Sequence, residues 1–108
     1  MDKRIPQVAE YLLLIERELR ALNWWGTEPP TPAQLASTAP FCVDTLSLQA
    51  WLQWVFLVRM KIIIEQGLAL PGACAIQPMA LVAWAQEGAK VAHLLALLER
   101  LDAVLNHP

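Results

Sequence analysis

Three charged side chains stand in apolar neighbourhoods of this chain: Asp44, Arg59 and Asp102. Side chains of these types can form a polar site inside a cleft, where burial and mutual attraction shift their proton affinities. They can equally form an arginine–carboxylate pair that satisfies the five guanidinium donors and anchors the segment before a greasy helix. The second use is expected here, with Arg59 reaching Asp44 or Asp102, because an arginine on an apolar helix must either pair or reach out to water.

Nucleophilic and metal chemistry find no comparable support. Cys42 and Cys74 lie in different segments without ligand-like spacing, and His93 and His107 are far from both. The cysteines read as small apolar fillers, and neither a metal nor any other cofactor is expected. On a helix His93 would have no carboxylate four residues away on either side, so it lacks the orienting partner of a general base. No catalytic residue is assigned, and an enzyme is the disfavoured reading.

The tryptophans offer recognition instead, since each gives a large contact area at low entropy cost together with an N–H donor. Trp51 and Trp54 stand three apart on the most apolar segment. Trp51 reads as core, and Trp54, displaced around the helix, reads as the edge of a ligand or partner groove. Trp25 and Glu28, beside and within a proline-rich stretch, complete the candidate partner-binding set.

Helices must position these residues. Ile5, Val8, Leu12, Ile15, Leu19 and Leu22 recur at helical spacing, which predicts a first helix over about 5–24 with Gly26 as its stop. Pro29, Pro30 and Pro32 then enforce an extended connector. Thr31, Pro32 and Gln34 form a capping box for one or two turns ending before Ser37, and Pro40 marks another break. Ser47 is the expected cap of a central helix over about 48–66, stopped by Gly67.

That helix carries two adjacent apolar stripes, Leu48–Trp51–Val55–Val58–Ile62 and Leu52–Phe56–Ile63, leaving Gln49, Gln53, Lys61 and Glu65 as a narrow wet strip. A helix apolar around most of its circumference belongs inside a bundle. An apolar loop over 68–77 should pack down on the core. A short helix should begin at Pro78 and run to about 87, and a last helix should span about 89–105. No segment alternates with period two, so the expected fold is all-α. It is a single domain over 1–108, a compact helical bundle with its hydrophobic central helix packed by the terminal and short helices.

Composition bounds the function. Hydrophobic residues make up 56% of the 108 and charged residues 17%, against roughly 25% charged in ordinary soluble domains. Mean hydropathy is +0.39. A domain this small cannot hide so much apolar surface, so a patch should serve a protein partner or self-association. The longest apolar run, over 48–64, is broken by Gln49, Gln53, Arg59 and Lys61, which argues against a bilayer span. The apolar run Leu12 to Ile15 is too short for a signal-peptide core, and the expected location is the cytoplasm.

The segments Pro40-Phe41, Asp44-Thr45, Trp51-Leu52-Gln53-Trp54-Val55 and Arg59-Met60, with Glu28-Pro29, Leu70-Pro71, Pro78 and Leu101-Asp102, resemble the YqcC-like family of small gammaproteobacterial proteins. That resemblance covers most of the chain. It implies a helical bundle of unknown function, some of whose members are encoded close to a tRNA pseudouridine synthase. Accessory action in tRNA modification, through such an enzyme and not through RNA, is the function it suggests beside a general interaction module. The chain departs from the family pattern at Ala50 and Leu81, where relatives tend to have Glu, and at Val58, where they tend to have Pro. A Glu before Trp51 would close a capping box with Ser47, which makes its loss tolerable.

Eight Lys and Arg against ten Asp and Glu give a net charge of −2, with no basic stripe. Direct nucleic-acid binding is therefore not expected. Purified protein should bind tRNA no more tightly than the roughly 10⁻⁴–10⁻⁶ M of non-specific contacts. A salt titration checks this, and tight binding that persists at moderate salt would overturn the argument from charge.

Overall fold

The computed structural model describes residues 2–107, and every regular element among them is helical. The N-terminal helix, Ile5–Ala21, buries Val8, Leu12, Ile15 and Leu19. It ends three residues before the expected Trp24. Asn23 takes the left-handed conformation at φ 60°, Asn23 N–H donates to the Arg20 carbonyl at 3.1 Å, and Trp24 N–H donates to the Leu19 carbonyl at 2.9 Å. This is a Schellman stop built on asparagine, whose short polar side chain tolerates that conformation. Gly26 is thereby released for another contact.

The connector behaves as its residues dictate. Thr31 caps the single turn Pro32–Leu35, with both halves of the capping box formed to Gln34. Farther on, the Ser47 hydroxyl accepts the Ala50 N–H at 3.1 Å and starts the central helix. That helix is continuous over 48–66 and stops at Gly67, φ 67°, where Leu68 N–H closes on the Ile63 carbonyl at 2.9 Å.

Inside the central helix lies a feature that apolar spacing did not reveal. Leu52–Phe56 form a π-helical turn, and Leu57 N–H donates back to the Leu52 carbonyl. The wider turn contains an extra residue and rotates the facing of the residues beyond it. Leu52 and Leu57 are both buried, together with Leu48, Gln53, Phe56 and Met60. Of the other expected stripe, Leu48 is buried and the residues from Trp51 onward face outward. Trp51 and Val55 are half-buried, and Val58 and Ile62 are 47% and 44% exposed. Trp51 therefore packs at the edge of the core, not inside it.

The short helix is Ile76–Ala83, beginning before Pro78 and ending before Glu87. Its early start has a tertiary cause: the Asp102 carboxylate accepts the N–H groups of Ile76 at 3.1 Å and Gln77 at 2.8 Å. Trp84 comes next, buried, and its indole N–H donates to Gln49 Oε1 at 3.1 Å. After a 3₁₀ turn, Gly88–Val91, the C-terminal helix runs over Ala92–Asn106.

The C-terminal helix buries six of its 15 residues, and the N-terminal and short helices both pack against it. Its last carbonyls are capped by Arg4, whose guanidinium donates to the carbonyls of Val104, Leu105 and His107 at 3.2, 3.2 and 3.0 Å. Asp2 pairs with the same guanidinium at 2.7 Å, which holds its carboxyl down at about 2. In the 68–77 loop Leu70 packs on the core while Leu68 stays 50% exposed. The whole is a compact bundle, with a Cα radius of gyration of 13.6 Å against about 13 Å expected for its length. No helix among the described residues is long and apolar enough to cross a membrane.

The two apolar stripes of the central helix differ in energetic weight. Leu52→Ala should lower stability by about 3–4 kcal/mol, because it opens a cavity at a fully buried position. Val58→Ala, on the outer stripe, should cost less than about 1 kcal/mol. Urea melts of the two variants check the assignment of faces.

Candidate partner-binding groove

The outward stripe forms one side of an open groove of about 660 Å³. Its floor is Trp51, Trp54, Val55, Val58 and Ile62 of the central helix; Leu35, Ala39 and Phe41 of the connector form the facing wall, and Leu68 lies beyond the helix stop. Arg59 is the one charged residue in the lining.

The wall is held in an unusual backbone conformation. Phe41 and Cys42 both have positive φ, 59° and 50°. Left-handed backbone costs a residue with a Cβ roughly 1–2 kcal/mol, so surrounding contacts must compel it. The Cys42 carbonyl accepts the N–H groups of Thr45 at 3.0 Å and Leu46 at 2.8 Å. The Phe41 ring meets Trp51 edge-on, with centroids 4.8 Å apart, and Trp51 stacks on Phe56 at 5.5 Å. Pro40 in the preceding position restricts the approach.

The polar residues singled out in the sequence do not assemble. Arg59 is exposed, and no Asp or Glu among the described residues lies within salt-bridge distance of its guanidinium. Asp44 is exposed and accepts the Ser37 hydroxyl instead. Asp102, 8% exposed, spends both oxygens on the start of the short helix. The expected Arg59–carboxylate pair is thus absent. Arg59 lies on the outer face of the central helix, where water satisfies it, and the demand of Asp102 is met by backbone donors.

Of the partner-binding candidates, Trp54 lines the groove, whereas Trp25 and Glu28 do not. Trp25 lies under the Arg20 guanidinium, 4.5 Å from its ring centroid, and Glu28 projects from the connector into solvent. Gln53, assigned by periodicity to a wet strip, is 5% exposed. Its amide accepts from Gly26 N–H and donates to the Gly26 carbonyl, both at 2.8 Å. No local signal marks that pairing, because the two residues are 27 apart.

Cys74 and His93 are also held in structural contacts. Burial first, and then the Asp102 carboxylate, push the Cys74 thiol up to about 12, so it supplies no thiolate at neutral pH. The Asn106 side chain clamps the Cys74 backbone, accepting its N–H at 2.8 Å and donating to its carbonyl at 2.7 Å. His93 does have a carboxylate neighbour, Glu18 of the N-terminal helix at 3.2 Å, but this pair sits on the surface with the imidazole 63% exposed. Among the described residues no three His, Cys, Asp or Glu side chains converge as a metal site would require. Ala50 occupies the position whose N–H meets the Ser47 cap, where a Glu would close the box, and Leu81 is half-exposed on the short helix. The groove is lined mostly by apolar side chains, with Ser37 and Arg59 its polar members.

The family model described as DUF446, tRNA pseudouridine synthase C, matches residues 7–104. The chain is 40% identical over 93 residues to the uncharacterized protein YqcC of Escherichia coli (strain K12), an alignment covering 86% of this chain and 85% of that protein. The solution NMR structure of YqcC from E. coli superposes with a TM-score of 0.85 at 36% identity, covering 98% of this chain and 91% of that one. A further match, 46% identical over 68 residues, is to the tRNA pseudouridine synthase C of Pectobacterium carotovorum subsp. carotovorum; it covers 63% of this chain but only 18% of that longer protein.

The division of labour between the polar residues is testable by stability. Asp102→Ala strands two N–H groups at a buried helix start and should cost about 2–4 kcal/mol. Arg59→Ala should stay within about 0.5 kcal/mol of the parent. Thermal melts of the two variants check this, and a large loss at Arg59 would contradict its unpaired placement.

Proposed function

The chain belongs to the DUF446 family, and from that membership and the uncovered face of its central helix we propose that it is a non-enzymatic helical interaction module. It binds a protein partner, or a second copy of itself, through the groove, in the cytoplasm and without direct contact to nucleic acid. One observation carries this reading: Trp51, Trp54, Val55, Val58 and Ile62 share an open groove although an apolar interior lies beside them. The floor joins the half-buried Trp51, Trp54 and Val55 to the exposed Val58 and Ile62, and apolar side chains grouped in an open groove support an interaction role. Tryptophan at its centre supplies the large rigid contact area typical of binding hot spots.

A second reading names the partner as a tRNA pseudouridine synthase. It is favoured by the 68-residue match inside a longer protein bearing that name. Where two segments share one chain, their association costs no encounter; separate chains must achieve it through a surface. On this reading the present chain is an accessory of tRNA modification that grips the modifying enzyme, not the RNA.

Gel filtration of the purified chain mixed with the tRNA pseudouridine synthase C of the same organism, with and without RNase, tests both readings. Co-elution that survives RNase is expected. Val58→Asp, at an exposed position that should leave the melting temperature unchanged, should weaken the association at least roughly tenfold, because it puts a charged, hydrated carboxylate into an apolar contact. Association abolished by RNase would remove the accessory reading. Association indifferent to Val58→Asp, with no groove-dependent dimer in sedimentation equilibrium, would remove the groove as the interaction surface.

A further inference from the structure

We infer that the turn Pro40–Val43 is a gate: it opens while the rest of the bundle stays folded, lifts the Phe41 ring off Trp51 and so joins the groove to two neighbouring clefts. Three features meet at this turn. The first is its backbone. Val43 N–H donates to the Pro40 carbonyl at 3.1 Å, and both central residues, Phe41 and Cys42, have positive φ. This is the pattern of a type I′ turn, which glycine, asparagine and aspartate adopt readily and a phenylalanine or cysteine does not. The closed turn is therefore disfavoured by its own backbone and is held closed by its contacts.

The second feature is how those contacts are distributed. The Phe41 ring rests edge-on against Trp51, itself only half-buried, and Cys42 is covered beside it. Pro40 and Val43 are exposed, so water can take over the hydrogen bond between them. A separate polar frame closes the loop around the turn. The Thr45 hydroxyl donates to the Gln34 carbonyl at 2.8 Å, and the Ser37 hydroxyl donates to the Asp44 carboxylate. Neither bond involves residues 40–43, so the tip can swing on this frame without melting a helix.

The third feature is position. Phe41 lines the groove of about 660 Å³, a cleft of about 310 Å³ that reaches Phe56, Met60 and Ile76, and a cleft of about 300 Å³ that reaches Leu48 and Trp84. Among the described residues it is the only one common to all three. Moving one ring thus extends the groove inward, towards side chains that are buried in the closed state. Relief of the left-handed backbone favours opening, and burial of the ring and of Cys42 favours closing.

Cys42 reports the motion, because the closed turn buries it, and the readout needs no partner in the groove. In the full chain carrying Cys74→Ser it is the one thiol left. Its labelling by a maleimide is followed from zero urea up to the unfolding transition, beside a urea melt of the same protein. Labelling should run faster than global unfolding allows and stay nearly flat with urea below the transition, as a small local opening requires. Phe41→Ala in this background removes the ring and keeps the backbone strain, and should speed labelling at least roughly tenfold beyond its effect on global stability. Phe41→Gly also removes the ring but is at ease with positive φ, and should label roughly five- to thirtyfold more slowly than Phe41→Ala. Should Cys74→Ser fail to fold, peptide mass mapping of the labelled chain with both cysteines reads Cys42 alone. Labelling that follows global unfolding at every urea concentration, with Phe41→Ala as without it, overturns the gate. Phe41→Gly labelling as fast as Phe41→Ala overturns backbone strain as what drives it open.

Discussion

A single buried amide sets the rotation of the central helix, and the outer surface of the protein is arranged accordingly. Gln53 is 5% exposed and uses both ends of its side chain on the backbone of Gly26. A glutamine amide presents an NH2 donor group and a carbonyl acceptor, which a peptide carbonyl and N–H complement; left unmatched in this position, either group would carry a desolvation cost. The π turn over Leu52–Phe56 accompanies that clamp, with Gln53 facing inward between Leu52 and Leu57. With these side chains turned to the inside, Trp54, Val55 and Val58 have only the outside left. The groove is therefore the counterpart of the core, not an accident of loose packing. π turns recur at functional sites because they re-aim side chains in this way.

A second polar pair organises the far side of the bundle. Asp102 and Asn106 stand four apart on the C-terminal helix and so share a face. One starts the short helix through Ile76 and Gln77, and the other holds Cys74. Together they turn the loop before the short helix onto the core and place Trp84 against Gln49. The thiol of Cys74 is silenced by the same burial and the same carboxylate. The buried polar side chains thus serve the architecture.

Strain and exposure meet at one place. Phe41 and Cys42 hold left-handed backbone beside a half-buried Trp51, and the aromatic contacts from Phe41 through Trp51 to Phe56 tie that wall to the core.

Helices and their local stops are legible in residue order alone. The Thr31–Gln34 box, the Ser47 cap and the Gly67 stop are interactions between residues no more than five apart, so spacing and residue type suffice to place them. The family was equally legible in the Trp51–Val55 string and the Pro40–Thr45 segment. Three-dimensional packing was needed to settle which stripe of the central helix faces inward, where Asp102 spends its charge, and that Arg59 goes unpaired. Both stripes are apolar, so hydrophobic periodicity could not rank them, and a period of 3.6 does not register a five-residue turn. The partners of Gln53 and Asp102 lie 25 to 27 residues away along the chain. Hydrogen bonds over that separation are selected by which surfaces pack together, a choice that local residue spacing does not encode.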